Sequence, residues 1–185
     1  MTVTVQEVAR YLRMGGNAPD GALAARIGEL IGEAVRVLRP ARIWRRLPVA
    51  QIPSPGTTLL RHLEGCAAAY LACGTVGLGL DALQRRVSVT SGADALIVQA
   101  VGAALIERYM DDVEDEIRAE LASGESLVTR YSPGYGDFPL EAQRPILALL
   151  DTPRKIGVSL TDSLLMVPSK SVSAVIGVAR GRHET

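Results

Sequence analysis

The chain of 185 residues carries 20 Lys plus Arg and 20 Asp plus Glu, so its formal net charge is zero, and no whole-chain field exists to hold nucleic acid or an anionic membrane. Hydrophobic residues make up 48% but aromatics only 4%, which implies a core of Ala, Leu, Val and Ile and leaves few platforms for stacking bases. The length suits one compact domain, or one domain with an extension.

The N-terminal stretch MTVTVQEVAR has neither a basic flank before an apolar run nor an Arg-rich amphipathic pattern, so a cytoplasmic protein is expected. Thr4 and Glu7 form a T-x-x-E capping box, and Val5, Val8, Tyr11 and Leu12 follow at helical spacing. This predicts a helix from Val5 that ends at Gly15 and Gly16. Asp20 is placed to cap a second helix, whose Leu23, Ile27, Leu30, Ile31, Ala34 and Leu38 recur at three- and four-residue steps until Pro40. Residues 43–49 (IWRRLPV) read as an edge strand, because Pro48 would cost a central strand a ladder bond.

Residues 59–64 read as one or two helical turns that lead into an apolar strand over 67–75. A Gly-spaced turn then delivers residues 80–86. The most apolar run, CAAAYLACGTVGLGL from Cys66, is shorter than the roughly 20 residues a membrane helix needs and is interrupted by three glycines. Cys66 and Cys73 in this run read as inert core thiols, too few for a disulfide framework. His62 stands four residues before Cys66 without a convincing third metal ligand.

A long helix is predicted over residues 92–122, where Ile97, Val101, Leu105, Val113, Ile117 and Leu121 lie near one stripe. Asp111, Asp112, Glu114, Asp115 and Glu116 dominate its middle and read as a solvated face. Beyond Gly124, residues 127–131 read as a strand, 133–138 as a loop and 140–150 as a helix that Pro145 either kinks or delays. Residues 158–160, 164–167 and 172–178 offer strand patterns. Early helices and late strands give an α+β class: an antiparallel β-sheet packed with helices, one of them long and acidic.

Several chemistries lack their spacings. There is no phosphate-binding loop of the form G-x-x-x-x-G-K-[ST], and Gly74, Gly77 and Gly79 are spaced in the wrong order for G-x-G-x-x-G. His62 and His183 are the only histidines, which leaves a Ser-His-Asp triad or a multi-histidine metal site nothing to draw on. The loop RYSPGYGDFP over residues 130–139 stands out instead. Pro133 and Pro139 stiffen it, while Gly134 and Gly136 permit positive φ and close approach of a ligand to the main chain. Such a loop holds a ligand or forms a tight strand-to-helix turn capped by Asp137, and composition does not separate the two.

Three linked motifs do. RYSPGY (residues 130–135), LTDSLLM (160–166) and PSKSVS (168–173) resemble, in order and spacing over about 45 residues, the R-x-x-P-G-Y, L-T-[DE]-S-x-x-M and P-x-x-S-V-S signatures of the activation domain of cobalamin-dependent methionine synthase. Residues 62–77 and ALIER at 104–108 are similar to small stand-alone versions of that domain. The resemblance implies an S-adenosylmethionine-binding domain over residues 59–185; residues 1–58 show no match to the family and read, from their helical spacing, as an N-terminal helical segment of the same domain. It implies that Arg130, Pro133, Gly134 and Tyr135 bind the ligand; Asp162 and Ser163 read as holding a β-hairpin through local hydrogen bonds rather than touching the ligand. The sequence departs from the family at Gln99, where an acid is common, with Asp137 or Glu107 as candidate replacements. It also departs at the end, where a further strand and a ligand-contacting Tyr have no counterpart.

The resemblance further implies that cobalamin is carried by a partner, since no D-x-H-x-x-G pattern supplies an axial histidine here. The expected function is that of a stand-alone reactivation subunit of a split methionine synthase. It would present the methyl group of S-adenosylmethionine to cob(II)alamin on a cobalamin-bearing methionine synthase subunit, with a flavodoxin-type electron donor. The alternative is a non-catalytic module that senses S-adenosylmethionine or assembles a corrinoid complex.

Overall fold

The computed structural model of the chain describes residues 1–14 and 17–180. Two capped helices open it. In α1, Val5–Tyr11, both halves of the Thr4 and Glu7 capping box are present, and in α2, Gly21–Val37, the Asp20 carboxylate accepts from the Leu23 amide. The first helix stops at Tyr11 rather than at the glycines, because Arg13 already adopts a left-handed backbone with φ 53°. Gly15, Gly16 and His183 lie outside the described residues.

The edge strand β1, Ala41–Pro48, then pairs antiparallel with β2, Cys66–Thr75, across the short helix α3, Gly56–His62. The segment 80–86 becomes part of a helix, α4, Leu78–Thr90, and Ser91 accepts from the Asp94 amide to start the long α5, Gly92–Ala119. At 28 residues, α5 is about 40 Å long and crosses the whole sheet. After β3, Glu125–Leu127, a 3₁₀ turn leads into α6, Gln143–Leu150, so Pro145 delays the α-helix and sits in its first turn, where no N–H is needed. Then come the single turn α7, Thr152–Lys155, a separate hairpin of β4, Ser159–Leu160, with β5, Met166–Val167, and the long strand β6, Ser171–Arg180.

The main sheet has the order β1-β2-β6-β3, antiparallel throughout, so the fold is α+β as expected. Both of its faces are covered. Tyr70, Ala72, Ile176 and Val178 point to the α5 side, where they join Ile27, Leu30, Leu80, Val101, Leu105 and Val113. Leu71, Cys73 and Val175 point the other way, to Leu59, Phe138, Ile146 and Leu150 beneath α3 and α6. Double coverage explains why β2 reads as an unbroken apolar run rather than an alternating one. Each fully buried aliphatic side chain in these layers contributes about 1.5–3 kcal/mol. Burial also pushes the Cys73 thiol up to about 12, which keeps it protonated.

On the α5 side the edge of the sheet is fastened by polar pairs. Arg42 donates to Glu116 at 2.7 Å, the Trp44 indole N–H to Glu120 at 3.1 Å, and Arg46 to Glu125 at 2.6 Å. Glu116 on Arg42, Asp112 on Arg108 and Asp115 on Arg118 show that the acidic stretch of α5 is paired with arginines and not merely solvated.

Candidate functional site

Strand β3 is shorter than the sequence reading of 127–131, and the reason shapes the site. Leu127 pairs with Val178, and Tyr131 makes an isolated bridge to Val175, so four steps of one strand face three of the other. That is a one-residue β-bulge, the device that re-aims a side chain. Val128 and Tyr131 both pack on the α6 side, while the extra residue turns Arg130 toward α5. Without the bulge Arg130 would share the face of Val128. His62 steadies the break, its Nε2 lying 2.7 Å from the Thr129 carbonyl oxygen and its ring packing 5.3 Å from that of Tyr131.

Arg130 meets three acids one helical turn apart on α5: Glu107 at 2.6 Å, Asp111 at 2.8 Å and Glu114. Burial works against the guanidinium charge, but the hydrogen bonds it donates to Glu107, Glu114 and Asp111 outweigh it and hold the pKa above its ordinary value. The fork is thus already committed to carboxylates, and a ligand carboxylate must join or displace that set. One cation against three anions leaves this corner with a formal charge of −2.

The loop after Tyr131 folds on itself. Gly134 (φ 95°) donates its amide to the Phe138 carbonyl at 2.8 Å, and Phe138 is buried as an anchor. Gly136 (φ 55°) is boxed in by Thr58 and the Tyr131 hydroxyl, where any Cβ would lie within 2.7 Å of both. Asp137 is a helix cap, though of α3 rather than of the helix that follows it: its carboxylate accepts from the Thr57 and Thr58 amides, both at 2.8 Å, and from the Thr58 hydroxyl. These bonds, the Thr58 hydroxyl first, hold its pKa well below the usual carboxylate range.

Between this loop, α5, α6 and β6 lies a cleft of about 300 Å³, lined by Glu107, Arg130, Tyr131, Ser132, Pro133, Tyr135, Gln143, Met166, Ser171, Val172 and Ser173. Of the sequence-predicted residues, Arg130, Pro133 and Tyr135 line it. Gly134 shapes the loop behind them, and Asp137 is spent on α3. Of the two candidate replacements for an acid, Glu107 is the one in the cleft, whereas Gln99 lines a different depression with Tyr11 and Leu96. The hairpin turn is held by Thr161 and Ser163, with the Asp162 carbonyl accepting from Arg144 at 3.1 Å.

Sequence reading gave Gln143 no role, and Ser173 none beyond its place in the PSKSVS motif. Both are buried, at 6% and 2% exposure, and the Gln143 Oε1 and Ser173 Oγ atoms have no hydrogen-bond partner among the described residues. No local signal announces this, since each is unremarkable in its own element. A wider depression of about 470 Å³ beside Arg10, Arg13 and Asn17 shows no such buried polar atom and borders residues outside the described set.

The model of a known family, described as vitamin B12 dependent methionine synthase, activation domain, matches residues 73–181, more than half of the chain and all of the cleft lining. A solved structure described as the MetH reactivation domain bound to AdoHcy matches over 100% of this chain and 79% of its own, with a TM-score of 0.65 at 17% identity. That likeness extends the shared fold to α1, α2 and β1. No curated protein matches the chain.

Proposed function

The chain belongs to the vitamin B12 dependent methionine synthase activation-domain family, and from that premise we propose that its cleft binds S-adenosylmethionine. The observation that carries the proposal is the charge pattern at Arg130. S-adenosylmethionine has an ammonium, a sulfonium and one carboxylate, a net charge of +1, and the corner formed by Arg130, Glu107, Asp111 and Glu114 is negative by two. Arg130 takes the ligand carboxylate while Glu107 takes the ammonium. Tyr131 and Tyr135, whose rings meet edge to face at 6.2 Å, offer π-faces to the sulfonium. The cleft volume of about 300 Å³ lies at the small end of ligand pockets and suits one such molecule partly open to its surroundings.

The proposed role is reactivation of a cobalamin enzyme, with the corrinoid on a partner methionine synthase subunit and the electron from a flavodoxin-type donor. When bound on that partner and reduced by one electron, cobalamin would supply the acceptor for the methyl group, and this chain would be left holding S-adenosylhomocysteine, whose sulfur keeps the bonding pair. This chain contributes binding and orientation, holding the methyl outward past the exposed ring of Tyr135. Gln99 was one of the features behind the alternative reading as a sensing or assembly module, and the position of Glu107 in the cleft offsets that one.

Calorimetry tests the proposal: one S-adenosylmethionine per chain is expected, with ligand at 100 times its dissociation constant stabilising the fold by about 2.7 kcal/mol. Absence of heat and of thermal protection at millimolar ligand would remove it. Reactivation is tested separately, by adding the protein, S-adenosylmethionine and reductant to an oxidised cobalamin methionine synthase that lacks its activation domain. Recovered turnover supports the role, and binding without recovery restricts the chain to a binding module.

A further inference from the structure

The polar wall of the cleft opposite Arg130 is incomplete as it stands. Beyond the Tyr131 bridge, β6 has no strand partner on its outer side among the described residues. Val175 exchanges both main-chain bonds with Tyr131, at 2.8 and 2.9 Å, so the N–H and C=O of every second residue of β6 point to that side. Those of Ser173 and Ser171 therefore face the cleft edge. Ser171 spends its hydroxyl on Thr75 and on the Pro168 carbonyl, whereas the Ser173 hydroxyl is unspent. From α6, its first residue brings in the Gln143 side-chain amide oxygen Oε1, also without a partner. A buried polar atom left unsatisfied costs about 1–3 kcal/mol, so two in residues that line one cleft mark where a ligand supplies the missing bonds.

The two faces of the cleft differ in kind. Glu107 and Arg130 on the α5 side are charged, while Gln143, Ser173 and the Ser173 main-chain edge on the α6 side are neutral donors and acceptors beside the apolar Met166. Building on the proposed ligand, we propose that Gln143 and Ser173 read its nucleoside end. The Gln143 Oε1 accepts from an N–H or O–H of the adenosine, and Ser173 hydrogen-bonds it through its hydroxyl and its exposed strand edge. A neutral, multiply hydrogen-bonding, flat-faced group fits this wall, and an ammonium or carboxylate does not.

The test compares S-adenosylhomocysteine with 5′-methylthioadenosine, which keeps the nucleoside and lacks the amino-acid end, on wild type, Ser173→Ala and Gln143→Leu. Each variant is expected to weaken both ligands by the same factor, about tenfold. The melting temperature of the ligand-free protein should stay level or rise, because an unsatisfied buried atom has been removed. A loss confined to S-adenosylhomocysteine would move the two residues to the amino-acid end and overturn the assignment. Unchanged affinity for both ligands, or a lowered ligand-free melting temperature in both variants, would make the residues structural and overturn it as well. A wild-type protein that binds neither ligand would instead overturn the proposed function on which the assignment rests.

Discussion

The two edges of the sheet set polar side chains against carboxylates, with opposite bookkeeping. Along β1, each polar group meets its own acid: Arg42 with Glu116, Trp44 with Glu120, Arg46 with Glu125. At the other edge, one arginine meets three acids, and two buried polar atoms nearby have no partner among the described residues. The first arrangement is balanced and fastens a strand to a helix. The second carries surplus negative charge and unspent hydrogen-bonding capacity, the two features on which the proposed ligand site rests. Counting ion pairs would rank the two regions alike, while accounting for each donor and acceptor separates them.

The largest separation is expected between Arg130→Ala and Arg42→Ala. Removing Arg130 leaves Glu107, Asp111 and Glu114 without their common cation on a half-buried surface, so stability should fall by about 2 kcal/mol. Affinity for S-adenosylmethionine should also drop by about 1.5–3 kcal/mol, the scale of a hydrogen bond to a charged group. Arg42→Ala should cost about 1 kcal/mol or less and leave affinity unchanged, since Arg42 and Glu116 are each about 40% exposed. Chemical denaturation and calorimetry on the two variants decide the matter, and equal effects would erase the distinction between fastening and site.

A smaller effect appears with pH. The Arg46 hydrogen bonds hold the Glu125 carboxyl down at about 2, helped by the Ala122 amide, against an ordinary 4.5. A depressed carboxyl stabilises the fold fully above its unfolded value, and that contribution is lost as pH falls through its folded value. Wild-type stability should therefore decline between about pH 4.5 and 2 from this group, and Arg46→Ala should flatten that part of the profile. Thermal melts across the range measure it, and an identical slope in the variant would show that Glu125 is held by something other than Arg46.

The smallest effect concerns the surplus charge. Glu107→Gln should narrow the preference for cationic S-adenosylmethionine over neutral S-adenosylhomocysteine by about 2- to 5-fold, a modest Coulomb effect at a partly exposed corner. Competition binding at low and high salt reads it directly. A preference that does not move would place the sulfonium away from the α5 acids.

What local spacing encodes was legible in the sequence. The Thr4 and Glu7 box, the Asp20 cap, the apolar stripes of α2 and α5 and the two-sided burial of β2 follow from periodicity and side-chain chemistry within a few residues, and the structure keeps them. The loop with Arg130, Pro133 and Tyr135 was legible too, from its glycines, prolines and linked motifs. The partners of those residues were not. Asp137 looked equally suited to a ligand or to the helix that follows it, and only the fold brings α3, some 80 residues earlier, against its carboxylate. Arg130 faces α5 because of one extra residue opposite β6, a matter of register between strands that no local pattern states. The unpartnered atoms of Gln143 and Ser173 exist only once α6 and β6 have closed around them. Period and capping are properties of neighbouring residues and are written in the order of the chain. Register, long-range partners and unmet hydrogen bonds are properties of packing, and tertiary structure alone decided them.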